Sequence, residues 1–190
     1  IDLIGGTNGS PSVATSDNWG IGLGANRATA NDRPVLHTTG TATLNGSVAT
    51  PGTSNYWGVA IGYSNITTGT GGFNVTSTSR SIMWADCAVT GPASISGTSA
   101  SLSGTNTFTG NVVVTATAGD STAAGSQTLS TSGATLTYKA TGNVIVDPNS
   151  TLQTNAGTIT LWSDTDGTTS RGGGVKTGSG SSILSTGGAI

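Results

Sequence analysis

The chain has 190 residues, of which 7% are charged and 33% hydrophobic, with a net charge of −2. Soluble domains ordinarily carry about 25% charged residues, so hydration here falls to the Ser, Thr, Asn and Gly that fill the polar positions. No basic patch exists to neutralise phosphates and no apolar run approaches the roughly 18 residues of a membrane span, which argues against nucleic acid as a partner and against a transmembrane helix.

The elements read as strands from the start. Ile1–Ile4 is a short apolar run, as if the chain began in mid-pattern like a mature or excised segment. Trp19–Gly24 (WGIGLG) is echoed 38 residues later by Trp57–Gly62 (WGVAIG). With coils of ~19 residues, close to the periods of solenoid repeats, two coils would separate them. Alternation puts Trp19, Ile21 and Leu23 on one face and Trp57, Val59 and Ile61 on the matching face, both read as core. Between the echoes, Asn31-Asp32-Arg33-Pro34 is turn chemistry, and the single histidine, His37, is placed in that turn.

Phe73–Val75 follows, then Ser81–Val89, read as one strand. Its alternation puts Met83, Ala85, Cys87 and Val89 in the core and Ile82, Trp84 and Asp86 outside. Ala93–Ser96, Phe108–Thr117, Thr135–Tyr138, Val144–Val146 and Thr158–Trp162 complete the strands, with Ile159 and Leu161 inward and Trp162 outward. Asp147-Pro148-Asn149 and Asp164-Thr165-Asp166-Gly167 are turns; 171–174 and 178–182 are loops. No composition break divides the chain, so residues 1–190 read as one continuous unit.

The last third repeats itself. GNVIVDPNSTLQTNAGTI (142–159) and GGVKTGSGSSILSTGGAI (173–190) lie 31 residues apart. They align Val144 with Val175, Leu152 with Ile183, Gly157 with Gly188 and Ile159 with Ile190. A strand, a small polar turn and another strand at fixed spacing is how a solenoid is written. If Ile190 and Ile1 are equivalent positions, the fused string Gly-Ala-Ile-Asp-Leu-Ile matches Gly157-Thr-Ile-Thr-Leu-Trp162. Ile1, Leu3 and Ile190 are thus candidate residues of an end-to-end junction with a further copy or repeat.

The strings GNVIVDPNSTLQTNAGTITLWSDTDG and GSSILSTGGAI resemble the right-handed parallel β-helix repeats of the filamentous-haemagglutinin family of bacterial surface adhesins and exoproteins. The match covers about the last fifty residues, with weaker echoes at 19–24 and 57–62. The resemblance implies a secreted, elongated, extracellular surface protein, and names no receptor.

Catalytic material is sparse. The eight acidic residues are all Asp and are dispersed, and Arg27, Arg33, Arg80 and Arg171 do not cluster with them. Carboxylate pairs and nucleophile elbows have no clear match, so neither an enzyme nor a cofactor is expected. Asp164 and Asp166 could begin a calcium loop, but the position for its closing Glu holds Val175, which favours a plain Asx turn. The lone cysteine rules out an intramolecular disulfide; Cys87 reads as a buried small hydrophobe, with an intersubunit disulfide as the sharper alternative. Trp84 and Trp162, read as outward, are candidate surface contacts.

The expected fold is all-β, a right-handed parallel β-helix, with a β-sandwich filament subunit as the alternative. The expected role is a structural rod segment of an extracellular bacterial adhesin or of a surface or matrix filament. Copies of itself or adjacent repeats are its partners, with host or matrix glycans or proteins also compatible. Rival readings are a pilin-like subunit joined by strand exchange, a glycan- or ice-binding solenoid using Thr ladders, and a polysaccharide lyase-like enzyme. The irregular spacing of the Thr pairs argues against the Thr-ladder reading.

Overall fold

The computed structural model describes residues 2–7, 18–24, 33–48, 56–167 and 172–190. The first coil is β1 (Asp2–Thr7), β2 (Asn18–Leu23) and β3 (Val35–His37); the second is β4 (Ala42–Val48), β5 (Tyr56–Gly62) and β6 (Asn65–Thr67). The third is β7 (Phe73–Thr76), β8 (Ser81–Ala85) and β9 (Ala88–Thr90); the fourth is β10 (Ala93–Gly97), β11 (Ala100–Ser103) and β12 (Thr105–Phe108). The fifth is β13 (Val112–Ala116), β14 (Ser121–Ala123) and β15 (Ser126–Leu129); the sixth is β16 (Leu136–Ala140), β17 (Val144–Val146) and β18 (Thr151–Thr154). The seventh is β19 (Ile159–Trp162), β20 (Val175–Thr177) and β21 (Ser182–Ser185).

Every third strand joins the same sheet. Three seven-stranded walls result: wall A from β1 to β19, wall B from β2 to β20 and wall C from β3 to β21. Every described strand pair is parallel. That is a parallel β-helix, and it excludes the antiparallel β-sandwich alternative. Six steps of about 4.8 Å make the stack roughly 30 Å tall.

The core is a set of ladders, one residue per coil. In wall A, Ala42, Phe73, Ala93, Val112, Leu136 and Ile159 stack in one ladder and Leu44, Val75, Ile95, Val114, Tyr138 and Leu161 in the next. Burial of such side chains, about 1.5–3 kcal/mol each when complete, holds the walls together.

The 31-residue repeat is one coil. Val144 pairs with Val175 and Leu152 with Ile183. Ile159 N–H donates to Ala189 O at 3.0 Å, which puts Ile190 on Ile159. The 38-residue echo is also one coil, not two: Trp19 pairs directly with Trp57 and Leu23 with Ile61. The extra residues fall between the described strands, where added length costs little entropy. Trp57 is half-buried rather than core, while Val59 and Ile61 are fully buried; the Trp19 side chain lies outside the described residues. Gly58 occupies a bulge between Trp57 and Val59, and a Cβ there would collide with the Ser77 side chain.

Two long predicted strands are each broken. Phe108–Thr117 turns a corner after Phe108 and resumes as β13. Ser81–Val89 divides into β8 and β9 around Asp86, whose φ of 54° is left-handed. That corner inverts the alternation. Ile82 and Trp84 point inward in β8, and Cys87 and Val89 point inward after the corner, whereas Met83 and Ala85 are only half-buried. His37 lies on β3, exposed, not in a turn.

Candidate interaction surfaces and the buried polar ladder

Trp84 is not a surface contact. It is fully buried between Phe73, with ring centroids 5.6 Å apart, and Phe108, at 6.1 Å. Phe73 comes from wall A, Trp84 from wall B and Phe108 from wall C, so one aromatic from each wall meets in the centre of the rod. Asp86, also read as outward, is half-buried; its Oδ1 accepts the Thr105 N–H at 2.9 Å and its carbonyl accepts Arg33 Nη1 at 2.8 Å.

Trp162 does face outward, 52% exposed on wall A, with Lys139 Nζ 5.4 Å from its ring centroid. The ammonium over the ring is a cation–π pair, and it leaves an aromatic surface able to stack on a partner.

The indole of Trp84 ends in a polar ladder that alternation and turn propensity do not reveal. Ser64, Cys87, Asn106 and Gln127 occupy successive coils of one inward column of wall C, followed by Leu152 and Ile183. Asn106 Oδ1 accepts Trp84 Nε1 at 3.0 Å and the Cys87 N–H at 2.8 Å. Its Nδ2 donates to Ser103 O at 2.8 Å and to Gln127 Oε1 at 3.0 Å. Gln127 Nε2 donates to Ala124 O at 3.0 Å. The one signal in the sequence is Asn and Gln at matched positions of Thr-Asn-Thr-Phe and Ser-Gln-Thr-Leu, 21 residues apart.

Cys87 is buried, and its thiol donates to Ala85 O at 3.1 Å. An intersubunit disulfide needs an accessible sulfur, so the burial removes that alternative. Desolvation pushes the thiol up to about 11, partly offset by hydrogen bonding to the Ser64 backbone and by Arg33. A raised folded pKa means the folded state holds the proton more tightly. This stability contribution is present below pH 9.0 and is lost as pH rises toward about 11. At pH 8 the raised pKa keeps the thiolate fraction below that of the unfolded chain. An Ellman-type reagent should therefore label native Cys87 at least about tenfold more slowly than the guanidinium-unfolded chain; equal rates would contradict the burial. Tyr138, fully buried in wall A, has a hydroxyl without a hydrogen-bond partner, and burial pushes its phenol well above the ordinary range.

Asp164 and Gly167 close a turn, Gly167 N–H donating to Asp164 O at 3.2 Å. Among the described residues, no three His, Cys, Asp or Glu side chains group as a metal site. Arg27 and Arg171 lie outside the described residues. No helix among them is long and apolar enough to cross a membrane.

Of the junction residues, Ile1 lies outside the described residues. Leu3 pairs with Leu44, at the foot of the ladder that ends at Leu161. Leu3 and Leu161 therefore occupy equivalent positions, as the fused string requires. Ile190, on Ile159, is 71% exposed. The chain matches no family model, and comparison with curated proteins and with solved structures finds no match.

Proposed function

We propose that this chain is a structural rod segment of an extracellular bacterial adhesin or of a surface or matrix filament. The observation that carries the reading is the unbroken stacking of three parallel walls over seven coils. Such a stack is stiff because each coil is hydrogen-bonded to its neighbours along its strands. Its uncharged Thr, Ser and Asn exterior stays hydrated with few long side chains for a protease to grip. The resemblance of the last fifty residues to filamentous-haemagglutinin repeats supports the surface location. Trp162 is the contact we assign to a glycan or protein partner.

The wall edges accept a further coil, from the same chain or from another copy. A strand like β1 laid on β19 sets Asp2 against Thr160, Leu3 against Leu161 and Ile4 against Trp162. The same coil covers the outer edge of Val175, now 46% exposed. Electron microscopy and fibre diffraction of concentrated protein test this. Rods with an axial reflection near 4.8 Å are expected; isolated globular particles with no axial order would overturn the rod assignment.

A further inference from the structure

The outer face of wall C carries ladders that the sequence spacing conceals. Thr67 pairs with Thr90, and Thr109 N–H donates to Val89 O at 3.0 Å, which sets Thr109 beside Thr90; Ser130 follows in the same way through Phe108 O. These neighbours are 23, 19 and 21 residues apart in the chain. A second ladder holds Thr107, Thr128 and Gln153 between Ala88 and the 48% exposed Leu184, and a third holds Thr105, Ser126, Thr151 and Ser182. Variation in coil length is absorbed at the corners, so the hydroxyls fall into register.

This face differs from the other two. No strand of wall C holds Asp, Lys or Arg, while β16 of wall A holds Lys139 and β20 of wall B holds Lys176. Wall B also has a register shift at Trp57, whereas wall C pairs without one from β3 to β21. Behind the face, the hydrogen-bonded Asn106–Gln127 pair pins β12 to β15. The array is thus rigid before anything binds, so little ordering entropy opposes binding.

The spacing is about 4.8 Å between strands and about 6.7 Å between alternate residues of a strand. Thr67, Thr90 and Thr107 each offer a hydroxyl and a methyl at a lattice point, while Thr109 Oγ1 also accepts the Gly91 N–H at 3.0 Å and the Ser126 and Thr128 hydroxyls lie 3.4 Å apart. From β6 to β21 a charged partner finds no Asp, Lys or Arg on the strands to pair with and a sugar ring finds no outward aromatic; the exposed His37 of β3, beside Thr67, bounds the array at its first coil. What fits is a ligand that is neutral and periodic in two directions. The prism face of hexagonal ice has a repeat close to this one, and its water can bond to the hydroxyls while the methyls seat between them. We propose that the outer face of wall C binds the surface of ice. This role is separate from the rod assignment and survives its failure.

Ice-affinity partition of the whole chain tests it, with a charged soluble protein as reference. The chain should be enriched in slowly grown ice by severalfold over the reference. Thr107→Arg and Thr90→Arg, both exposed on wall C, should each abolish the enrichment. Ser94→Arg, exposed on wall A, should leave it intact. Melting curves identify any variant that fails to fold, in which case the other wall C variant carries the test. Exclusion of the wild-type chain from ice overturns the proposal. So does equal loss in Ser94→Arg, or enrichment retained by a folded wall C variant. Adsorption to cellulose or chitin in place of ice would reassign the face to a neutral polysaccharide.

Discussion

Trp84→Ala is expected to destabilise the rod by roughly 3–5 kcal/mol, the range for deleting a large buried aromatic. The side chain is fully buried and touches an aromatic from each of the other walls. Its removal leaves a void at the point where the three walls meet, and backbone ladders on every side limit collapse into it. Those two aromatic contacts are part of the same loss, and Asn106 Oδ1 also loses a donor. Because stacked coils depend on their neighbours, the lesion should lower the unfolding midpoint and broaden the transition around coils two to four. Trp162→Ala is the internal control: an exposed side chain should change stability by no more than about 0.5 kcal/mol. Denaturant titration followed by far-ultraviolet circular dichroism compares the two. Equal effects would mean that Trp84 is not the central packing residue.

Asn106→Leu should cost about 3 kcal/mol or more, although leucine is apolar and of similar size. Asn106 makes four hydrogen bonds, two accepted and two donated, so its full capacity is used. Leucine leaves the Trp84 and Cys87 donors and the Ser103 and Gln127 acceptors without their partner. Each buried group so orphaned costs about 1–3 kcal/mol, and the losses do not simply add. Asn106→Asp separates polarity from shape. It keeps the acceptor for Trp84 and Cys87 but loses both donors and buries a charge at neutral pH. Its deficit should therefore shrink as pH falls and the carboxyl protonates, while that of Asn106→Leu should change little with pH. In a double-mutant cycle, Gln127→Leu combined with Asn106→Leu should cost less than the two single changes together. Strict additivity would show that the amide pair is not coupled.

The legible parts of this fold are those written by local chemistry. Val144, Leu152 and Ile159 find Val175, Ile183 and Ile190 because a 31-residue coil repeats without interruption. The equivalence of Leu3 and Leu161 is readable because Ile1-Asp-Leu follows the repeat's last Gly-Ala as Ile159-Thr-Leu161 follows Gly157-Thr158. Trp162 faces outward as alternation predicts, because no corner intervenes between it and Ile159. Trp84 faces inward against that prediction, because alternation does not run straight through Asp86. A left-handed residue there shifts the phase, and an aspartate announces such a corner less clearly than a glycine. Ala156, with a φ of 57°, announces it less clearly still.

The sequence alone therefore determined the class of structure: short strands, small polar turns, stacked coils and few charges. Period-two alternation and turn propensity act over a few residues, and both survive in a string of letters. Only the tertiary structure decided which side faces the core where a strand adjoins a corner, and which residues stack where coils differ in length. Those depend on the corners, where a single positive φ inverts the phase and extra residues are absorbed at small entropic cost. Trp84 entered the core, the Asn106–Gln127 pair closed behind β12, and threonines spaced irregularly along the chain came into register on one wall.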